Sequence, residues 1–149
     1  MNVDALLDLV QRLLSAAQHP DVSSVERYDG AAKGVVVTYR SGAKVFFAGA
    51  AGKPRTEPAG LGDDLGPWKF RRNYAMRMLL DVLEVARPAG LSGWRTVVIE
   101  KVDVKPGGIE LVTDSGPMVL HVTSGGPMIL DSDPADFAGW RVPDGIVVS

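Results

Sequence analysis

The sequence predicts an α+β fold made of two helix-plus-three-strand units, αβββ-αβββ, with one or two extra strands at the C-terminal end. Three observations predict it. Two stretches carry apolar residues at helical spacing. Each is followed by short alternating stretches broken by turn residues. The second half of the chain also resembles the first. Neither helix nor three-stranded sheet buries an apolar face well alone, so the expected arrangement is one antiparallel sheet with both helices packed on one face.

The first helix is expected over residues 3–18, where Leu6, Leu7, Leu9, Val10, Leu13, Leu14 and Ala17 form one apolar face and Pro20 ends it. Strands are expected at Ser24–Tyr28, Val35–Tyr39 and Lys44–Ala48, joined through Asp29-Gly30 and Arg40-Ser41-Gly42. Residues 49–67 have no periodicity and read as a loop. A second helix is expected from Pro67 to Arg87, with Asp63 and Asp64 near its positive end. Pro88 and Gly90 end it. Strands are then expected at Arg95–Val104, Gly108–Thr113, Pro117–Val122 and Pro127–Asp131, with a further edge strand at Ile146–Ser149. The repeats span about residues 3–50 and 67–124, and 125–149 form a C-terminal extension of a single domain covering 1–149.

The self-similarity is specific enough to align. Shifting by 74 residues lays VERYDGAAKGVVVTYRSGAKVFF, from Val25, on IEKVDVKPGGIELVTDSGPMVLH, from Ile99, without a gap. Glu26 meets Glu100, Gly34 meets Gly108, Ser41-Gly42 meets Ser115-Gly116 and Val45 meets Val119. ALLDLV (Ala5–Val10) lies on MLLDVL (Met78–Leu83) with a slip of one residue. Turn chemistry alone makes strand meanders look alike, so the helix match in the same order is what argues for duplication.

Composition sets outer limits. At 149 residues with 46% hydrophobic and 23% charged residues, the chain can bury a proper core. It has no cysteine, which excludes disulfides, thiolate zinc sites and a cysteine nucleophile, and fits a reducing compartment. Asp4 and Asp8 interrupt the first apolar run, so it does not read as a secretory signal, and no apolar stretch is long enough for a membrane span. The expected location is cytoplasmic, with no membrane partner. The net charge of −2 hides an asymmetry. Residues 44–77 carry seven cations against three carboxylates, a net of +4, while residues 110–149 carry six carboxylates against Arg141, a net of −5. Such opposed regions can steer a protein partner or a second copy of the chain.

Motifs for chemistry are scarce. GAAGKPRT (Gly49–Thr56) suggests a phosphate loop, but Gly52-Lys53 is followed by Pro54 and the position five before Gly52 is Phe47, so it reads as the inter-repeat connection. WKFRRNYAMR (Trp68–Arg77) interleaves Lys69, Arg71, Arg72 and Arg77 with aromatic residues; these four cations are the candidate partner-binding residues. Trp68 and Tyr74 fall on the core stripe of that helix. His19 sits at a helix end, where a cation can help cap it, and His121 lies in a strand; neither has metal-site spacing. DSDPAD (Asp131–Asp136) lacks the glycine and glutamate of a calcium loop, and no Gly-x-Ser-x-Gly occurs. Gly93-Trp94-Arg95 and Gly139-Trp140-Arg141 recur as a pair.

These observations favour a non-catalytic protein-interaction or assembly module, a subunit of a larger bacterial or viral complex, with no cofactor, metal or catalytic residue assigned. The alternative is a small ligand-binding protein or enzyme using a cleft between the repeats, with His121, Tyr39 and Asp114 as candidates. The third reading is nucleic-acid binding through the basic helix 68–77.

Overall fold

The computed structural model describes residues 1–49, 56–58, 71–100, 107–125 and 142–143. In chain order these form α1 (Val3–Ala16), β1 (Val22–Asp29), β2 (Lys33–Tyr39), β3 (Lys44–Gly49), β4 (Thr56–Pro58), α2 (Arg71–Ala86), β5 (Leu91–Ile99), β6 (Gly108–Thr113) and β7 (Gly116–Gly125). The protein is α+β. Its strands form one antiparallel sheet in the order β1-β2-β3-β7-β6-β5-β4: six principal strands and the three-residue β4 at one edge. Two meanders, β1-β2-β3 and β7-β6-β5, therefore meet along their last strands. At that seam Phe47 faces Val122, Ala48 faces His121 and Gly49 faces Leu120.

Local chemistry explains the helix limits. The Asn2 side chain accepts the Ala5 N–H at 2.8 Å, satisfying one of the free donors at the start of α1, and Asp4 complements the helix dipole. Both helices end on a non-glycine residue in the left-handed region, Gln18 at φ 49° and Arg87 at φ 43°. Each chain then turns on a similar bond: Val22 donates to the His19 carbonyl at 3.0 Å, and Leu91 donates to the Pro88 carbonyl at 3.1 Å. The next strand carries a register irregularity in both cases, at Val22/Ser24 and at Leu91/Gly93. The last hairpin of each meander has a glycine at positive φ, Gly42 at 91° and Gly116 at 106°.

Alternation divides the sheet into two faces. On the inner face Val35, Val37, Tyr39, Val45, Phe47, Ile109, Leu111, Leu120 and Val122 are buried. They share one apolar cluster with Leu6, Leu7, Val10, Leu13 and Leu14 of α1 and Ala75, Met78, Leu79, Val82 and Leu83 of α2. On the outer face Val97, Ile99 and Val119 form a second, smaller buried cluster.

Several element limits differ from expectation. α1 stops at Ala16, two residues early, because Gln18 leaves the helical region. α2 runs from Arg71 to Ala86; residues 67–70 lie outside the described residues. The strand expected at 95–104 is β5 at Leu91–Ile99: Gly93 and Trp94 extend it upstream and Glu100 is already a turn. Inside the expected loop 49–67, Thr56–Pro58 pairs with Val97–Ile99, giving backbone partners to part of an edge strand. Three residues are too few to show periodicity. The strands expected at 127–131 and 146–149 lie outside the described residues.

The gapless shift of 74 residues is not kept in three dimensions. Val37 pairs with Val25, whereas Leu111, its aligned counterpart, pairs with Trp94 rather than Ile99. The β5–β6 connection holds eight residues, 100–107, against three, 30–32, in β1–β2. The matched Glu26 and Glu100 thus occupy a strand and a turn.

Candidate functional site

Of the four candidate cations, Arg72 and Arg77 have described side chains, and Arg72 is buried. Lys69 lies outside the described residues, and Arg71 opens α2. Arg72 is only 9% exposed, and its Nε donates to the Val122 carbonyl at 2.7 Å. Burial pushes its pKa down to about 10. A helix start close to β7 thus spends a charged group on a strand carbonyl. Arg77 is half-exposed and pairs with Asp81, one turn on, at 3.1 Å. Burial pushes the Asp81 carboxyl up, against the pull of Arg77.

The candidates for the cleft reading are dispersed. Tyr39 is buried on the inner face and packs edge-to-face on Tyr74, with ring centroids 5.7 Å apart. His121 is half-buried on the outer face, opposite Ala48. Asp114 is in the β6–β7 turn, where it accepts from the Met1 amino group at 2.6 Å, a bond that holds its carboxyl below the usual range. Glu100 is exposed, and Asp103, Asp131–Asp136 and Trp140-Arg141 lie outside the described residues. The Trp94 indole N–H donates to Glu84 at 2.8 Å, while Arg95 bonds Glu110, so the two do not act as one motif. Among the described residues, no group of three or more histidines, cysteines or acids could hold a metal ion. No helix among them is long and apolar enough to cross a membrane.

The outer face is where the two meanders diverge. On β5–β7, Val97 and Ile99 are 0% and 2% exposed and Val119 is 8% exposed. Beside them Glu110 is buried with both carboxylate oxygens engaged, one by Arg95 and the other by the Thr56 hydroxyl, each at 3.0 Å. On β1–β3 the same face carries Tyr28, Val36 and Phe46, all half-buried. Tyr28 and Phe46 meet edge-to-face, centroids 5.8 Å apart, a geometry favoured by the ring quadrupoles. The Tyr28 ring lies over Gly34, its cross-strand neighbour, where a side chain would collide with the Tyr28 hydroxyl end. Burial pushes the Tyr28 phenol pKa up. Exposed Glu26 and Lys44 border this patch on β1 and β3.

Sequence reasoning missed this face because alternation shows that a strand has two faces, not how much of the second is covered. The signal present was the apolar residue at every position of Val35–Val37 and Val45–Ala48. It also missed that His19 is buried and bonded to the Asp21 N–H and the Tyr74 hydroxyl.

Comparisons with protein-family models, curated proteins and solved structures return no match for this chain.

Proposed function

We propose that the chain is a non-catalytic assembly module, a single domain of two helix-plus-three-strand units, which joins a second copy of itself through the outer face of β1–β3. The unit reading is supported by features that recur in the same order: the left-handed helix ends at Gln18 and Arg87, the turns closed by His19 and Pro88, the register irregularities that follow, and the hairpin glycines 42 and 116. In this reading Val25 corresponds to Trp94, and the buried helix residues Leu6, Leu7, Leu9, Val10, Leu13 and Leu14 correspond to Ala75, Met76, Met78, Leu79, Val82 and Leu83, a correspondence that replaces the sequence match of Ala5–Val10 to Met78–Leu83. An insertion in the β5–β6 connection accounts for the change of offset.

One observation carries the interaction reading: the outer face is closed over Val97, Ile99 and Val119 but carries half-open Tyr28, Val36 and Phe46 in the other meander. Burying such side chains stabilises an interface by about 25 cal/mol per Å² of apolar surface. The occupant proposed is a second copy because the patch is bordered by one acidic and one basic residue, Glu26 and Lys44. In an isologous contact each meets its opposite across the dyad. The sheet face is preferred to the α2 cations because Arg72 and Arg77 each hold a partner within the chain.

Light scattering over a concentration series tests this, using the parent chain and Phe46→Lys, with circular dichroism to check that the variant folds. The expected result is a dimer for the parent and a folded monomer for the variant. A parent that stays monomeric throughout, or a variant of unchanged mass, overturns the reading.

A further inference from the structure

A buried imidazole on the inner side of the fold has both ring nitrogens in hydrogen-bond contact. His19 is 4% exposed at the corner between α1 and β1. Its Nδ1 accepts the backbone N–H of Asp21 at 3.1 Å, so that nitrogen carries no proton. The proton of the neutral ring must therefore sit on Nε2, which is 2.5 Å from the Tyr74 hydroxyl on α2. The two rings meet edge-to-face, with centroids 5.3 Å apart. Tyr74 in turn packs on Tyr39 of β2. One imidazole thus joins the start of the first meander to the helix of the second.

We propose that His19 is an acid-sensitive latch between α2 and the α1–β1 corner. A second proton on the ring would go to Nδ1 and face the Asp21 N–H, replacing an attraction by a repulsion of donors in a site shielded from water. Among the described residues, the titratable groups in contact with the latch rings include Tyr74 from α2, Tyr39 from β2 and Asp21, whose N–H bonds the ring; Arg72, two residues before Tyr74 on α2, is turned to the Val122 carbonyl of β7. Of the side chains named, histidine is the one whose ordinary pKa falls between pH 5 and 7.

The sign follows from linkage. In the unfolded chain the ring takes up its proton below about pH 6.5, while the folded chain resists it. The latch is fully present above that pH and is lost as pH falls. Two measurements test this. The first is nitrogen NMR of the two histidine rings, assigned with His19→Gln. The second is urea unfolding of the parent and His19→Gln between pH 7.5 and 5. The expected results are a bare Nδ1 on His19 at pH 7, and a parent unfolding constant that rises about tenfold more per pH unit than that of the variant below pH ~6.5. A proton on Nδ1 of the folded chain, or equal pH slopes for parent and variant, overturns the proposal. The NMR arm stands even where His19→Gln does not fold, because His121→Gln, a change outside the latch, assigns the two rings equally well.

Discussion

Glycines give the sharpest predictions at the scale of single residues, because they differ in what surrounds them. A Cβ on Gly108 would run into the Leu120 carbonyl oxygen of the neighbouring strand, and one on Gly34 would lie 2.5 Å from the Phe47 carbonyl and against the Tyr28 ring. Backbone cannot move aside cheaply, so Gly108→Ala and Gly34→Ala should each lose about 1–3 kcal/mol in urea unfolding. Gly93 is the control: its nearest neighbour, a Val112 methyl, is 3.8 Å away, so Gly93→Ala should be neutral or stabilise by up to about 1 kcal/mol. The helix ends predict gains. Gln18 and Arg87 sit at positive φ, where a side chain costs about 1 kcal/mol, so Gln18→Gly and Arg87→Gly should each raise stability by a few tenths to 1 kcal/mol. Glu84 loses its pair in the second variant, but that pair is exposed and worth little. The matched Gly34 and Gly108 were legible in the sequence. Their cause was not: neither has positive φ, and both are required by close approach of the next strand.

Elements are held together by contacts that periodicity cannot show. Arg27 of β1 reaches back to α1, bonding Asp8 at 2.5 Å and Asp4 at 3.2 Å, and also meets Asp29 at 3.2 Å. Burial alone would pull its pKa down, but the bonds to Asp4 and Asp8 outweigh it and the net shift is upward. Bonds from Lys33 and then Arg27 hold the Asp4 carboxyl below its ordinary value. A carboxyl lowered in the folded state stabilises above its unfolded pKa, near 4, and loses that contribution as pH falls further. Arg27→Ala should therefore destabilise the chain at pH 7 and flatten the loss of stability below about pH 4, a window well apart from that of His19. The seam between meanders has its own test. The chain has no cysteine, so the double variant Ala48→Cys, His121→Cys should form a single disulfide on mild oxidation, because these residues face each other across β3 and β7. Failure to close would mean that the seam is elsewhere. Helix faces and turn glycines were readable because spacing and φ are local properties. The pairing of β3 with β7, the short β4 and the register of β5 were not, because each depends on which distant strand lies alongside.

The whole molecule combines a core shared by both helices and both meanders with an outer face that is closed on one half and half-open on the other. Charge asymmetry in the sequence pointed to association, but the residues that carry it lie largely outside those described, and Arg72 and Arg77 already have partners. Association through Tyr28, Val36 and Phe46 makes a different prediction from association through charge. Apolar burial is not screened by salt, whereas exposed charge pairs are, over a Debye length of about 10 Å at 0.1 M. The decisive measurement is the solution mass of the parent chain and of Phe46→Lys by light scattering, at low and high salt. A parent dimer that survives high salt, with a monomeric variant, is the predicted result. A parent that is monomeric at both salts, or a dimer that dissolves in salt and is untouched by Phe46→Lys, would contradict assembly through this face.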